Sequence, residues 1–157
     1  MIRIYQSTKP SLEIYDDTKV LIEKFISNKN KLGIITNGGK NTQSNKIDLL
    51  SQAYPKLWNF IYILIAGEHF SKEDWKPSNK PFSKMKEYFL EKKLLKGKLY
   101  YIGNDASRDI KGAVEEGYSV IIRPKTDRDF LNLEDYNNET IDFTLVYDLK
   151  KLIQEVD

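Results

Sequence analysis

Three stretches of the sequence carry side chains that could bind a phosphate group or a metal ion. The stretch Thr36 to Gly39 offers a hydroxyl, an amide and two glycines whose backbone N–H groups suit an anionic oxygen. Lys76 and Lys80 offer positive charges that could neutralise a phosphate. Asp105 and Asp109 are four residues apart at a predicted helix start, so their carboxylates lie on one face of its first turn. Paired carboxylates of this kind suit a hard cation such as Mg²⁺.

Each stretch also has a purely structural interpretation. Thr-Asn-Gly-Gly is a common turn sequence. Asp105 could cap a helix while Asp109 interacts with the helix dipole, and a lysine in a charged loop is usually solvated. The order along the chain favours function, because hydroxyl, lysine and paired acids each follow a predicted strand. Ligands of open parallel sheets bind at that carboxyl edge.

Short apolar runs alternate with amphipathic helical patterns along the chain, which is typical of βαβ units and a mainly parallel sheet. Strands are predicted at 32–35, 60–66, 99–102 and 119–122, with a short edge strand within 140–147. Helices are predicted after Asp16, at 41–51, over the region of Phe82 to Leu90, before Gly117 and at 149–156. The charged segment Lys125 to Asn138 is predicted to be a turn-rich surface excursion.

Length and composition limit the classes of protein. At 157 residues one domain is expected, large enough to bury roughly 70% of its unfolded surface. A net charge of +2 gives neither a polybasic arm nor an acidic tail, so nucleic acid is not an expected partner. The absence of cysteine excludes disulfides, thiolate metal sites and a cysteine nucleophile. No apolar run approaches the roughly 20 residues of a membrane span, and the first ten residues lack the apolar region and cleavage site of a signal peptide, so we expect a cytoplasmic protein.

The order of these motifs resembles the haloacid dehalogenase-like superfamily of phosphohydrolases, and especially its phosphoglycolate-phosphatase-like branch. Leu32 to Gly38 (LGIITNG) resembles the second motif of that superfamily. Lys76-Pro77-Ser78-Asn79, followed by Phe82, resembles the lysine motif, although Lys80 is an alternative. Tyr101 to Ile110 (YIGNDASRDI) resembles the acidic fourth motif.

The resemblance implies a fold and a role for each residue. The fold would be a Rossmann-like, three-layer α/β/α core over residues 1–157, with 1–16 as a lead-in from an absent cap and 125–157 as a C-terminal strand and helix. Thr36 and the backbone of Asn37 and Gly38 would hold phosphate oxygens. Lys76 would neutralise developing charge during catalysis. Asp105 and Asp109 would be catalytic acids that hold or orient Mg²⁺.

One departure from the superfamily is as informative as the match. Its nucleophile is the first aspartate of a DxDxT motif on the first strand, and no DxD spacing occurs before Leu32. The chain therefore resembles a C-terminal core portion without this first strand, which in the superfamily lies between the strands ending at Thr36 and Gly103. Unpaired backbone groups there would cost about 1–3 kcal/mol each. We expect the gap to be filled by closure of its neighbours, by residues 1–6 or by a strand from another chain.

The resemblance thus implies the core of a Mg²⁺-dependent phosphatase for a small phosphorylated metabolite, whether a fragment, one part of a split protein or a pseudoenzyme. Without the nucleophile, this chain is expected to bind Mg²⁺ weakly and to be inactive alone. The alternative is a non-catalytic phosphate-binding or assembly module. Exposed strand edges would favour a homo-oligomer or a complementing N-terminal chain.

Overall fold

The structure, a computed structural model, describes residues 14–136 and 142–154. The strands are β1 (Leu32–Thr36), β2 (Ile61–Ile65), β3 (Tyr100–Gly103), β4 (Ser119–Ile122) and β5 (Thr144–Leu145). The helices are α1 (Asp16–Ser27), α2 (Lys40–Ala53), α3 (Ala66–His69), α4 (Lys80–Glu91), α5 (Ala106–Asp109), α6 (Lys111–Glu115) and α7 (Asp127–Tyr136). Short 3₁₀ helices lie at Pro55–Asn59, Lys72–Asp74 and Leu149–Gln154. Within these ranges, no helix is both long and apolar enough to cross a membrane.

The strands form two parallel sheets. In the first, β1 pairs with β2, so that Leu32 faces Ile61 and Thr36 faces Ile65. In the second, β4 lies between β3 and β5. Among the described residues no ladder joins β1 to β3, so the expectation that these two neighbours close up is wrong there. Insertion of residues 1–6 lies outside the described residues, and a strand from another chain stays a prediction.

One apolar core lies against both sheets. Helix α4 supplies Phe82, Met85 and Phe89 at positions i, i+3 and i+7, and all three are buried. They belong to the same cluster as Ile35 of β1 and residues of β4. Burying each such side chain contributes about 1.5–3 kcal/mol relative to exposure. The core therefore holds the two sheets together although no strand pairing joins them in the described part.

A buried ion pair fixes the start of α1 at the carboxyl end of β4. The Asp17 carboxylate accepts hydrogen bonds from Arg123 Nε at 2.6 Å and from the Leu149 backbone N–H at 3.1 Å. Burial alone would raise the pKa of Asp17, but these hydrogen bonds outweigh burial and hold that pKa below its usual value. The pair thus joins α1, β4 and the C-terminal 3₁₀ helix.

Two C-terminal regions differ from the sequence expectation. The segment expected to be a turn-rich excursion contains helix α7, which begins with a reciprocal capping box. Thr126 Oγ1 accepts from the Asp129 N–H at 3.2 Å, and Asp129 Oδ2 accepts from the Thr126 N–H at 3.0 Å. The Thr-x-x-Asp spacing was available in the sequence as a helix signal. The final helix is a 3₁₀ helix as far as Gln154, and Val156 lies outside the described residues.

Candidate phosphate-binding site

The loop after β1 presents backbone donors at the carboxyl edge of the first sheet. Gly38 has φ of +113°, a conformation that side-chain-bearing residues rarely adopt. Among the described residues, no group accepts a hydrogen bond from the N–H of Gly38 or Gly39. The Thr36 hydroxyl donates to Gln43 Oε1 of α2 at 3.1 Å, which fixes the hydroxyl beside this loop. The loop therefore has the open N–H groups that an anion requires.

Helix α3, which directly follows β2, contacts the glycine loop through Gly67. The Gly67 N–H donates to the Gly38 carbonyl at 3.2 Å. A Cβ atom at Gly67 would collide with that same carbonyl oxygen. This close contact holds the Gly38 carbonyl against the Gly67 backbone.

The lysine loop is attached to the glycine loop by one side chain. Asn37 Nδ2 donates to the Lys76 carbonyl at 2.9 Å, and the Lys76 N–H donates to Asn37 Oδ1 at 3.0 Å. On its other side the lysine loop lies against α6, where a Cβ at Gly112 would be 2.6 Å from the Pro77 carbonyl and 2.7 Å from the Ser78 carbonyl. These contacts fix the backbone that carries Lys76. The Asn37 side chain thus holds the lysine loop, while the Asn37 backbone is part of the predicted phosphate-binding loop.

The Lys76 side chain reaches across to the second sheet. Its Nζ donates to Asp109 Oδ1 at 2.6 Å and to the Tyr101 hydroxyl at 2.7 Å. The exposed fractions of the two charged side chains are 12% for Lys76 and 4% for Asp109. The Tyr101 hydroxyl in turn donates to Asp109 Oδ1 at 3.0 Å. Burial and the Asp109 carboxylate hold the pKa of Tyr101 well above its ordinary value, so the hydroxyl keeps its proton.

Asp109 is already surrounded by donors. In addition to Lys76 and Tyr101 on Oδ1, its Oδ2 accepts from the backbone N–H groups of Asn104 and Asp105, both at 3.1 Å. Four donors occupy the lone pairs of one carboxylate. To bind Mg²⁺ directly, Asp109 would have to release one of them. Its role as a metal ligand stays a prediction, whereas its contact with Lys76 is part of the structure.

Asp105, the other acid of the pair, is less buried than Asp109, with 13% of its side chain exposed. It makes no side-chain cap to α5, and its Oδ1 accepts from the exposed Ser107 hydroxyl at 2.6 Å. Its Oδ2 lies 3.4 Å from Arg108 Nε, on a side chain that is half exposed. In the part of the chain that the structure describes, no group of three or more carboxylate, histidine or cysteine side chains could hold a metal. The residues therefore fit Mg²⁺ only partly, through Asp105.

The two lysines left open by the sequence are placed differently. Lys76 lies in the cluster with Asp109, whereas Lys80 Nζ pairs with Asp74 Oδ2 at 2.8 Å and is 56% exposed. Lys80 begins helix α4 and does not contact the acidic pair in the structure. The geometry therefore brings Lys76, Asn37 and Asp109 together and leaves Lys80 outside.

Sequence reasoning missed two members of the site. Tyr101 was part of the apolar strand pattern, and nothing in that pattern indicates that its hydroxyl meets a lysine and an aspartate. Asp129 supports the acidic loop from α7: its Oδ1 accepts from Asn104 Nδ2 at 3.0 Å. The capping signal at Thr126 could have located the helix that carries Asp129, although not its contact with Asn104.

The lysine, the acid pair and the glycine loop lie at the carboxyl edges of the strands, where open α/β sheets bind their ligands. The family model of the haloacid dehalogenase-like hydrolases matches residues 1–122. The chain therefore belongs to the haloacid dehalogenase-like hydrolase family, and the expected Rossmann-like α/β fold is confirmed.

One similar solved structure is that of D,D-heptose 1,7-bisphosphate phosphatase from B. bronchiseptica, complexed with magnesium and phosphate. The alignment has a TM-score of 0.63 and 11% sequence identity, and it covers 90% of this chain and 82% of the other. At this identity the likeness shows the fold. No curated protein matches the sequence.

Proposed function

We propose that this chain is the phosphate-binding core of a phosphohydrolase of its family, with a small phosphorylated metabolite as ligand. The observation that carries the proposal is the position of Lys76. Asn37 ties its backbone to the loop with the open Gly38 and Gly39 N–H groups, and Asp109 holds its ammonium group. A phosphate at this edge would meet a positive charge and backbone donors together. Such charge-assisted hydrogen bonds are about twice as strong as neutral ones.

Each residue has a stated part in this proposal. The Gly38 and Gly39 N–H groups donate to phosphate oxygens, and Lys76 neutralises their charge. The Thr36 hydroxyl has one proton and joins these donors when it releases Gln43 Oε1. Asp109 holds Lys76 in place. Asp105 is the residue that would hold Mg²⁺ beside the phosphate, and the ion would neutralise further negative charge. Because Asp109 already accepts four hydrogen bonds, the affinity for Mg²⁺ is expected to be weak.

We expect no phosphatase activity from the chain alone. No DxD spacing precedes Leu32, and the described carboxylates nearest Lys76 already accept hydrogen bonds from the protein. A carboxylate nucleophile must approach phosphorus with a free oxygen. The segment with that nucleophile would have to lie outside the 157 residues of this sequence, either in the same protein or in a complementing chain. A cytoplasmic location remains part of the proposal, supported by the absence of cysteine.

The test is calorimetric titration with inorganic phosphate, with and without Mg²⁺, together with turnover of p-nitrophenyl phosphate. Lys76→Met should weaken phosphate binding at least about ten-fold, because it removes a charged hydrogen bond. Lys80→Met is the matched control and should bind as the natural chain does, because Lys80 pairs with Asp74 outside the site. Equal phosphate affinity for the Lys76 variant and the natural chain would contradict the proposal.

Complementation tests the missing nucleophile separately. A synthetic peptide with an apolar strand followed by DxDxT, added to the chain with Mg²⁺, should restore turnover of p-nitrophenyl phosphate. Turnover of p-nitrophenyl phosphate without the peptide would show that the expected inactivity of the chain alone is wrong.

The arrangement of the sheets supports a second candidate function, that of an assembly module. Residues of β1 and β3 are mostly half buried, whereas three of the four residues of β4 are fully buried. In the described part, β1 and β3 each have one paired edge only. Free strand edges favour association with another chain. Sedimentation velocity should then show a concentration-dependent oligomer, and phosphate should not alter it.

A further inference from the structure

We propose that Tyr101 is a positioning residue for Lys76, which fixes the ammonium group so that one N–H remains directed to a ligand. The inference rests on the proposed phosphate-binding function and names a residue that this function did not include. Its basis is a closed triangle of hydrogen bonds among Lys76, Tyr101 and Asp109.

The donors of Lys76 can be counted. A lysine ammonium has three N–H donors. One is taken by Asp109 Oδ1 at 2.6 Å and one by the Tyr101 hydroxyl at 2.7 Å. One donor is left for a phosphate oxygen. Two fixed acceptors restrain the position of Nζ and the rotation about the Cε–Nζ bond more tightly than Asp109 alone would.

Tyr101 is well placed to be a rigid acceptor. It lies in β3, where its backbone is paired with Val120. Its ring meets the ring of Phe82 edge to face, with centroids 4.9 Å apart at 82°, and Phe82 is fully buried. A side chain fixed by packing holds a functional group more accurately than one on a loop. Since Lys76 is on a loop, the strand residue positions the loop residue.

A purely structural role for the hydroxyl makes a different prediction. Tyr118 provides the matched comparison, because its ring also meets Phe82, at 5.9 Å and 64°, and its hydroxyl donates to the Phe82 carbonyl at 3.0 Å. Within the described residues, the Tyr118 hydroxyl and ring contact Phe82 and not Lys76. Removing the Tyr118 hydroxyl takes away one hydrogen bond, to the Phe82 carbonyl. Removing the Tyr101 hydroxyl takes away two, one from Lys76 and one to Asp109, so only this removal touches the lysine.

The experiment compares Tyr101→Phe with Tyr118→Phe in the full chain. Affinity for inorganic phosphate is measured by titration, and the Lys76 ammonium group is followed by its ¹H–¹⁵N signal, assigned through its loss in Lys76→Met. Tyr101→Phe should weaken phosphate binding about five- to ten-fold, the scale of one typical hydrogen bond, and should broaden the ammonium signal. Tyr118→Phe should change neither readout.

Several results would overturn the inference. The first is a folded Tyr101→Phe variant with natural phosphate affinity and an unchanged ammonium signal. If this variant does not fold, the natural chain decides: phosphate should shift the Lys76 ammonium and Tyr101 hydroxyl resonances together, and a shift of the ammonium alone overturns the inference. Failure of the natural chain to bind phosphate overturns the proposed function instead, and the ammonium signal in Tyr101→Phe still decides the role of Tyr101.

Discussion

Two buried ion pairs lie at the carboxyl edge of the second sheet, and they differ in what surrounds the cation. Asp17 and Arg123 are each 7% exposed, and their carboxylate also accepts the Leu149 N–H. Asp109 is 3% exposed and holds Lys76 together with the Tyr101 hydroxyl. The first pair joins three structural elements. The second holds a cation that keeps one donor for a ligand.

The chemistry of the two cations explains this difference. The Arg123 guanidinium is a planar fork, and both Nε and Nη2 are directed at the same Asp17 oxygen. Its face is covered by the Tyr15 ring at 4.7 Å. The Lys76 ammonium is a compact charge with three donors, only two of which are used in the described structure. A buried pair of the first kind stabilises the fold, while one of the second kind can also bind an anion.

The largest effect is expected from Asp17→Asn, which leaves Arg123 buried without its counter-charge. Breaking a buried ion pair in this way costs about 3–5 kcal/mol in the free energy of unfolding. Phosphate affinity of the folded variant should be unchanged, since Asp17 lies outside the phosphate site. Urea unfolding measures the first quantity and calorimetric titration the second. Asp16→Asn is the neighbouring control, because Asp16 makes only an exposed pair with Lys19, and should leave stability as it is.

The same variant has a defined pH dependence. The folded pKa of Asp17 lies below its unfolded value, so its contribution is complete above the unfolded value, about 3.9, and is lost as the pH falls through the folded pKa. The stability difference between Asp17→Asn and the natural chain should therefore shrink below about pH 4. If the variant were less stable than the natural chain by the same amount at pH 7 and at pH 3, the ion pair would not be the source of the lost stability.

A smaller effect is expected from Gly112→Ala, which perturbs the loop that carries the second pair. The new Cβ would stand 2.6 Å from the Pro77 carbonyl, so the lysine loop must move. Forcing one extra carbon into such a contact costs about 1–3 kcal/mol, and phosphate affinity should fall as Lys76 shifts. Gly97→Ala is the control, because a Cβ there meets nothing within 4 Å. Unchanged phosphate affinity in Gly112→Ala would contradict the positioning of Lys76 by this contact.

The smallest effect is expected from Lys125→Met. Lys125 Nζ lies 3.7 Å from Asp17 Oδ2 and is 20% exposed, but Asp17 keeps its closer partner Arg123. The free energy of unfolding should therefore fall by less than about 1 kcal/mol. A loss in urea unfolding as large as that of Asp17→Asn would mean that the cluster depends on Lys125 and not on Arg123.

The sequence predicted the parts of this molecule that depend on local pattern. Continuous apolar runs located β2 and β4, and the spacing of Phe82, Met85 and Phe89 located the buried face of α4. Helix α7 was missed because its charged composition outweighed a capping signal that was present at Thr126. These elements depend on periodicity and capping, which are set by residues close together in the sequence.

The site was predictable as a set of residues but not as an arrangement. Motif order brought Lys76 and Asp109 into consideration, yet they are 33 positions apart and their 2.6 Å contact depends on how two loops approach. For the same reason the sequence could not show that the Asp109 carboxylate accepts four hydrogen bonds, or that Lys80 forms an ion pair with Asp74. The role of Asn37 depends in the same way on the lysine loop lying beside it.

The most direct test of phosphate binding at the edge formed by the glycine loop and Lys76 is a ¹H–¹⁵N correlation titration with inorganic phosphate. The account predicts saturable shifts of the Gly38 and Gly39 amide signals in the natural chain, and their loss in Lys76→Met. Absence of these shifts in the natural chain, or shifts that persist unchanged in Lys76→Met, would contradict it.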